Sequence, residues 1–202
     1  EKAKIMVYSA SPAEDFQRGA FDRAWFMTAR TRLTTEQFEL VYNAAKYASS
    51  GSNHRRAQLY ARATLGELDT EALRVEICDK RNKDKLRAYS LLPATMDESK
   101  ERYLFFQQFL KESRAFGAQR RASEAEAVEM AIFNLAQQAA NGNTTQFMWQ
   151  MEQERYRELE KWFTTQEIDD VQLYLVYEEQ KVDVRIMKNG KALKSVPKKI
   201  AK

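Results

Sequence analysis

A chain of 202 residues and 23.6 kDa is long enough to bury a real core, and its single cysteine, Cys78, and single histidine, His54, exclude an internal disulfide, most zinc sites and a His-centred relay. Hydrophobic residues at 44% and charged residues at 31% are globular proportions, while six Gly and three Pro are too few for a turn-rich sandwich and favour helices. The net charge of +4 belongs to the end of the chain: residues 181–202 hold eight Lys or Arg against Asp183 alone, and residues 1–180 hold 25 basic against 28 acidic groups.

Taken in order, Ser11-Pro12-Ala13-Glu14 reads as a capping box with Pro at the first helical position, opening a helix to about Arg30. Thr34-Thr35-Glu36-Gln37 repeats that logic before Phe38, Val41, Tyr42, Ala45 and Ala48, which recur at helical spacing, and residues 49–53 end the helix. Ala57, Tyr60, Ala61 and Thr64 mark a helix ending near Gly66. Asp69 caps one carrying Leu73 and Ile77, and Asn82 or Asp84 opens another with Leu86, Ala88 and Tyr89 before Pro93. The starts near 34 and 69 lie about 35 residues apart, the size of a helical-hairpin repeat, so residues 34–92 read as a HEAT-like array or as an irregular bundle.

Residues 97–163 read as three longer helices. The first, to about Phe116, carries Tyr103, Phe105, Phe106, Phe109 and Leu110 and stops at Gly117; the second opens on a capping box at Ser123 to Glu126. The third, capped by Asn143 or Thr144, spreads Phe147, Met151, Tyr156, Leu159, Trp162 and Phe163 so widely that contact on two sides is expected. After Thr164 the period becomes two: Val171 to Tyr177 and Val182 to Ile186 form a hairpin, and Asn189-Gly190 turns into a third strand at Ala192 to Val196. The fold class is therefore α+β, mostly α: a helical region over residues 1–163, then antiparallel strands and a basic tail over 164–202.

The stretches 56–68 (RAQLYARATLGEL), 111–136 (KESRAFGAQRRASEAEAVEMAIFNLA) and 189–199 (NGKALKSVPKK) resemble an uncharacterised family of large bacterial proteins that includes the molybdate metabolism regulator. The resemblance spans about residues 34–199 and implies that the chain is one internal part of a longer protein. It brings no catalytic residue with it, and nothing of the polymerase-related domain of some members is visible. The opening residues lack the apolar core of a signal peptide, so a cytoplasmic setting without membrane contact is expected.

Chemical signatures are sparse. Gly190-Lys191 lacks the earlier Gly and the following Ser or Thr of a phosphate loop, and no nucleophile elbow, dinucleotide fingerprint or zinc-protease motif occurs. His54 reads as a surface or capping histidine, Cys78 as a buried inert thiol, and Ser123 after Arg120-Arg121 as a helix cap. The glutamates from Glu152 to Glu160, interleaved with Arg155, Arg157 and Lys161, read as a salt-bridged outer face. No catalytic, cofactor or metal residue is assigned and no cofactor is expected. The basic residues Arg114, Arg120, Arg121, Lys191, Lys194, Lys198 and Lys199 are the candidates for nucleic-acid contact, provided they share one face. The first expectation is a non-enzymatic interaction or scaffold module meeting a protein partner or other domains of its parent. The second is a nucleic-acid-associated module, and the third is part of an enzyme completed by other sequence.

Overall fold

The computed structural model of the chain describes residues 7–9, 11–48, 51–178, 181–195 and 197, with residues 48, 51 and 52 described by backbone alone. The fold is α+β and mostly α, with helices followed by an antiparallel sheet. Two compact units divide between Phe147 and Met148.

The first unit holds α1 (Ala13–Arg18), α2 (Arg23–Arg32), α3 (Thr35–Ala48), α4 (Gly51–Thr64), α5 (Thr70–Lys80), α6 (Lys83–Leu91), α7 (Met96–Glu112), a short 3-10 turn (Ser113–Ala115), α8 (Ala118–Ala139) and the start of α9 (Thr144–Phe163). Local caps set most of these limits. Thr34 and Gln37 bond reciprocally at the start of α3, Asp69 accepts from Ala72 N–H, Asn82 from Lys85 N–H, and Thr95 with Glu98 makes a full capping box for α7. Asn143, rather than Thr144, accepts from Gln146 N–H to open α9.

The expected long helix from residue 11 is instead two. Pro12 stands at the N-cap of α1 with no side-chain cap, and Gly19 at φ 106 takes the left-handed conformation that stops the helix after one and a half turns. Asp22 then accepts from Trp25 N–H and starts α2. The expected start at Ser123 is corrected as well. α8 begins at Ala118 with Gly117 as its N-cap, so Ser123 and Glu124 lie inside the helix and Gly117 opens α8 instead of closing α7. On α9, Phe147 and Met151 are buried, while Tyr156, Leu159, Trp162 and Phe163 are exposed.

The core is built on α6, which packs against α4, α5 and α8, while α8 also packs on α7 and α1. Six successive residues of α6, Leu86 to Leu91, are buried, Arg87 and Ser90 among them. Their polar groups are matched in part: Ser90 Oγ donates to Arg87 O at 2.6 Å and Arg87 Nη1 meets Asp84 at 3.3 Å, while Arg87 Nε is buried without a partner among the described residues. Buried Arg102 of α7 donates to Leu92 O and Pro93 O, closing the carbonyl end of α6. On α8, buried Asn134 reaches back more than a hundred residues, accepting from Phe21 N–H at 3.1 Å and donating to Gly19 O at 3.2 Å.

One buried charge cluster ties four elements. Arg81, left-handed at the end of α5 with φ 47, points its guanidinium at Glu124 of α8, Nη2 to Oε2 at 2.7 Å and Nε to Oε1 at 3.0 Å. Nη2 also donates to Phe109 O at 2.8 Å, and the guanidinium lies 3.7 Å from the Phe109 ring centre. Glu124, 2% exposed, further accepts from Ser113 Oγ and from Arg120 Nε at 2.9 Å. Burial alone would raise the Glu124 carboxyl. The bonds from Arg81, Ser113 and Arg120 and the Arg81 charge outweigh it and bring the pKa down to about 2.

In the second unit, α9 leads into four strands, β1 (Gln166–Ile168), β2 (Val171–Glu178), β3 (Lys181–Lys188) and β4 (Lys191–Ala192), joined in that order as an antiparallel meander. The expected hairpin is present, with Leu173 opposite Ile186 and Leu175 opposite Val184. Two details differ from expectation. A first strand at Gln166–Ile168 pairs with β2, its shortness having hidden any alternation. The strand after Asn189-Gly190 is two residues long among the described residues, because beyond Ala192 only Leu193 N–H, bonding to Ile186 O, continues the ladder. Asn189 and Gly190 at φ 48 and 74 make the tight turn that an Asn-Gly pair favours.

Candidate interaction surface

The side chains singled out for chemistry do not converge. Cys78 is exposed, which corrects the expectation of a buried thiol: Ile77 takes the inward position on α5 and its neighbour is rotated outward. His54 is half-buried, its ring 6.3 Å from that of Tyr42. Ser123 accepts from Lys83 Nζ at 2.5 Å instead of capping a helix. Among the described residues, no group of three or more His, Cys, Asp or Glu side chains is placed to hold a metal ion.

The basic candidates fall in different surroundings. Arg120 stacks 3.8 Å from the Phe116 ring centre and is bonded to Glu124, so its charge is already answered. Arg114, on the 3-10 turn, and Arg121, on the first turns of α8, face solvent in the first unit. Lys191 and Lys194 are exposed in the second, and Lys198 and Lys199 lie outside the described residues.

What the fold does assemble is a ladder of rings across α2, α3 and α4. Phe21 lies 5.2 Å from Phe26 and 6.2 Å edge-on from Tyr60. Phe26 meets Phe38 at 5.8 Å, and Phe38 stacks on Tyr42 at 5.7 Å with the planes only 18° apart. Such pairs add about 0.5–1.5 kcal/mol each beyond their burial. Two concavities flank the ladder. One, of about 460 Å³, is lined almost wholly by apolar atoms from Tyr8, Phe16, Phe21, Trp25 and Phe26, with Ser9 bonded to Asp22 at its edge.

The other, of about 570 Å³, is a half-open groove between α2, α3 and α4. Phe38, Tyr42, Leu59, Ala61 and Leu65 form its apolar lining, and Arg30, Glu39, Arg55, Gln58, Arg62 and Glu67 supply polar groups. Arg30 lies 5.0 Å from the centre of the Phe38 ring, and Arg62 is 3.6 Å from Glu67. Burial, followed by the charge of Glu67, pushes the Tyr42 phenol up against the opposing pull of Arg62, so its hydroxyl stays protonated at neutral pH.

Helix α3 is unusual in burying so little. None of its described side chains is fully buried: Phe38 and Tyr42 face the ladder half-covered, while Leu40, Val41 and Tyr47 are 72%, 61% and 82% exposed. Sequence periodicity placed Val41 and Ala45 on the inward face with Phe38 and Tyr42. The structure turns both outward, beside Leu40 and Tyr47, because the ladder uses a narrower stripe than the apolar residues span. Spacing of single apolar residues identifies a helix face but does not say that three helices share one row of rings, and the ladder was missed for that reason.

No helix among the described residues is long and apolar enough to cross a membrane. No curated protein and no solved structure matches the chain. A family model does match, over residues 1–151, a span that takes in the stretches 56–68 and 111–136 but not 189–199. The chain belongs to the Family of unknown function (DUF5724).

Proposed function

We propose that the chain is a non-enzymatic interaction module of a larger cytoplasmic bacterial protein, in which stacked helical hairpins offer α3 to a protein partner or to another part of the same parent. The observation that carries this reading is the apolar outer side of α3. Leu40, Val41 and Tyr47 stand exposed on a helix with no fully buried described side chain. Large apolar side chains exposed together on one helix are a feature of surfaces covered in a complex.

The test is photo-crosslinking in cells with a benzophenone amino acid at Tyr47, in the parent sequence and beside Leu40→Asp/Val41→Asp. The double variant is expected to change the unfolding free energy by less than about 0.5 kcal/mol per site, because exposed positions carry little stability. One defined adduct, lost in that variant, is the expected result. Adducts that are absent, or that persist unchanged in the variant, overturn the reading.

Nucleic-acid contact has less to support it, since Arg120 is committed to Glu124. Fluorescence anisotropy with labelled single- and double-stranded DNA and RNA is expected to give binding only at low salt, as scattered cations do. Saturable binding at near-physiological salt that weakens in Arg114→Gln/Arg121→Gln would favour the nucleic-acid module.

A further inference from the structure

We propose that the groove between α2, α3 and α4 is a binding site for a small aromatic monophosphate, of the size and chemistry of a nucleoside monophosphate. The inference is independent of the docking role of α3, because it uses the inward side of that helix. The groove combines an aromatic wall with arginines. Its wall carries Phe38 and Tyr42, stacked on each other 5.7 Å apart at 18°, continued by Leu59, an aromatic and apolar side against which a flat ring can lie. Its rim carries Arg30, Arg55 and Arg62, whose planar forks suit a phosphate.

The state of those arginines is the second observation. Elsewhere in the first unit, Arg18, Arg81 and Arg120 lie within about 3 Å of a carboxylate and Arg74 and Arg87 within 3.5 Å, while Arg23 and Arg102 donate to backbone carbonyls. In the groove, among the described residues, Arg30 rests on the Phe38 ring at 5.0 Å with no carboxylate within bonding distance, none lies within that distance of Arg55, and Arg62 is paired with Glu67 at 3.6 Å. Three guanidiniums against two carboxylates, Glu39 and Glu67, leave an excess suited to one phosphate group and not to a triphosphate. The volume of about 570 Å³ lies within the range of small-molecule sites and admits a ring, a sugar and a phosphate together.

Isothermal titration calorimetry of the chain with adenosine monophosphate, adenosine and inorganic phosphate tests this. Saturable binding of the monophosphate is expected, with adenosine and phosphate each at least about tenfold weaker, because each fills half of the site. Arg30→Gln/Arg55→Gln is expected to weaken the monophosphate by about tenfold or more. Arg30→Lys/Arg55→Lys should recover part of that loss, with far-ultraviolet circular dichroism unchanged in both. No saturable binding of the monophosphate, or binding equal in the wild-type chain and the glutamine variant, would overturn the proposal.

Discussion

Glu124→Ala is expected to remove about 3–5 kcal/mol of stability, the cost of leaving a buried cation without its partner. Arg81 would keep Phe109 O, Glu112 and the Phe109 ring, but lose the carboxylate that takes bonds from both Nε and Nη2. Ser113 and Arg120 would lose the same acceptor. Urea unfolding followed by circular dichroism measures the effect, and a loss below about 1 kcal/mol would contradict it. Arg81→Met/Glu124→Leu is expected to be far milder than either single change, since buried ion pairs replaced whole by apolar side chains are often close to neutral.

The same carboxylate sets a pH dependence. Its folded pKa of about 2 lies below the ordinary 4.5, so the protein holds this group ionised more strongly than the unfolded chain does. The stabilisation is complete above 4.5, where both states are ionised, and is lost progressively as pH falls toward 2. Stability measured from pH 6 downward is therefore expected to decline more steeply in the wild-type chain than in Glu124→Gln. Parallel profiles would show that the cluster is not ionised as described.

Gly19→Ala is the second large effect, expected to cost about 2–4 kcal/mol through two additive causes. The backbone at φ 106 lies where side chains are strained, and a Cβ there would come within 2.5 Å of Arg87 Cδ, 2.8 Å of its Nε and 3.1 Å of Tyr60 Oη. Both neighbours are buried and Arg87 is held by Asp84, so neither can simply swing away. Gly66→Ala provides the comparison. It shares a positive φ of 74, but its Cβ would meet only Pro93 at the ordinary distance of 3.5 Å, so about 1–2 kcal/mol of backbone cost is expected there. Equal losses at the two glycines would refute the close approach at Gly19.

The contrast between these glycines and the caps shows which parts of the fold were legible in the sequence. Thr34, Asp69 and Asn82 act on backbone groups three residues away, and each was readable because the whole interaction lies within one turn. Ser11 and Ser123 carry the same local pattern without capping anything. At Ser123 the helix had already begun at Ala118, and the pattern's glutamate, Glu126, meets Arg18, a residue 108 positions earlier. The role of Glu124 likewise depends on Arg81, 43 residues back, which no local pattern reports. Helix α6 was placed correctly from Asn82, yet its burial ran against its composition. Lys83-Asp84-Lys85-Leu86-Arg87 looks like a surface helix, yet it sits at the centre, with Ser90 bonded to Arg87 O and Arg87 Nη1 to Asp84 while Arg87 Nε has no partner among the described residues. For the candidate surface, each ring was legible as an apolar residue, but the groove depends on how three helices meet.

The bonds from Asn134 to Gly19 O and Phe21 N–H have a consequence for the chain as it is made. During synthesis the segment around α1 leaves the ribosome well before its anchor exists, and Arg18 waits equally for Glu126 and Glu129. At common elongation rates that interval is roughly 6–23 s, long compared with the microseconds in which a helix forms or melts. Phe16 and Phe21 therefore spend those seconds without α8 against their segment, within reach of chaperones and of other nascent chains. Completion of α8 supplies the anchor, so a late helix of the first unit closes back onto the segment around α1.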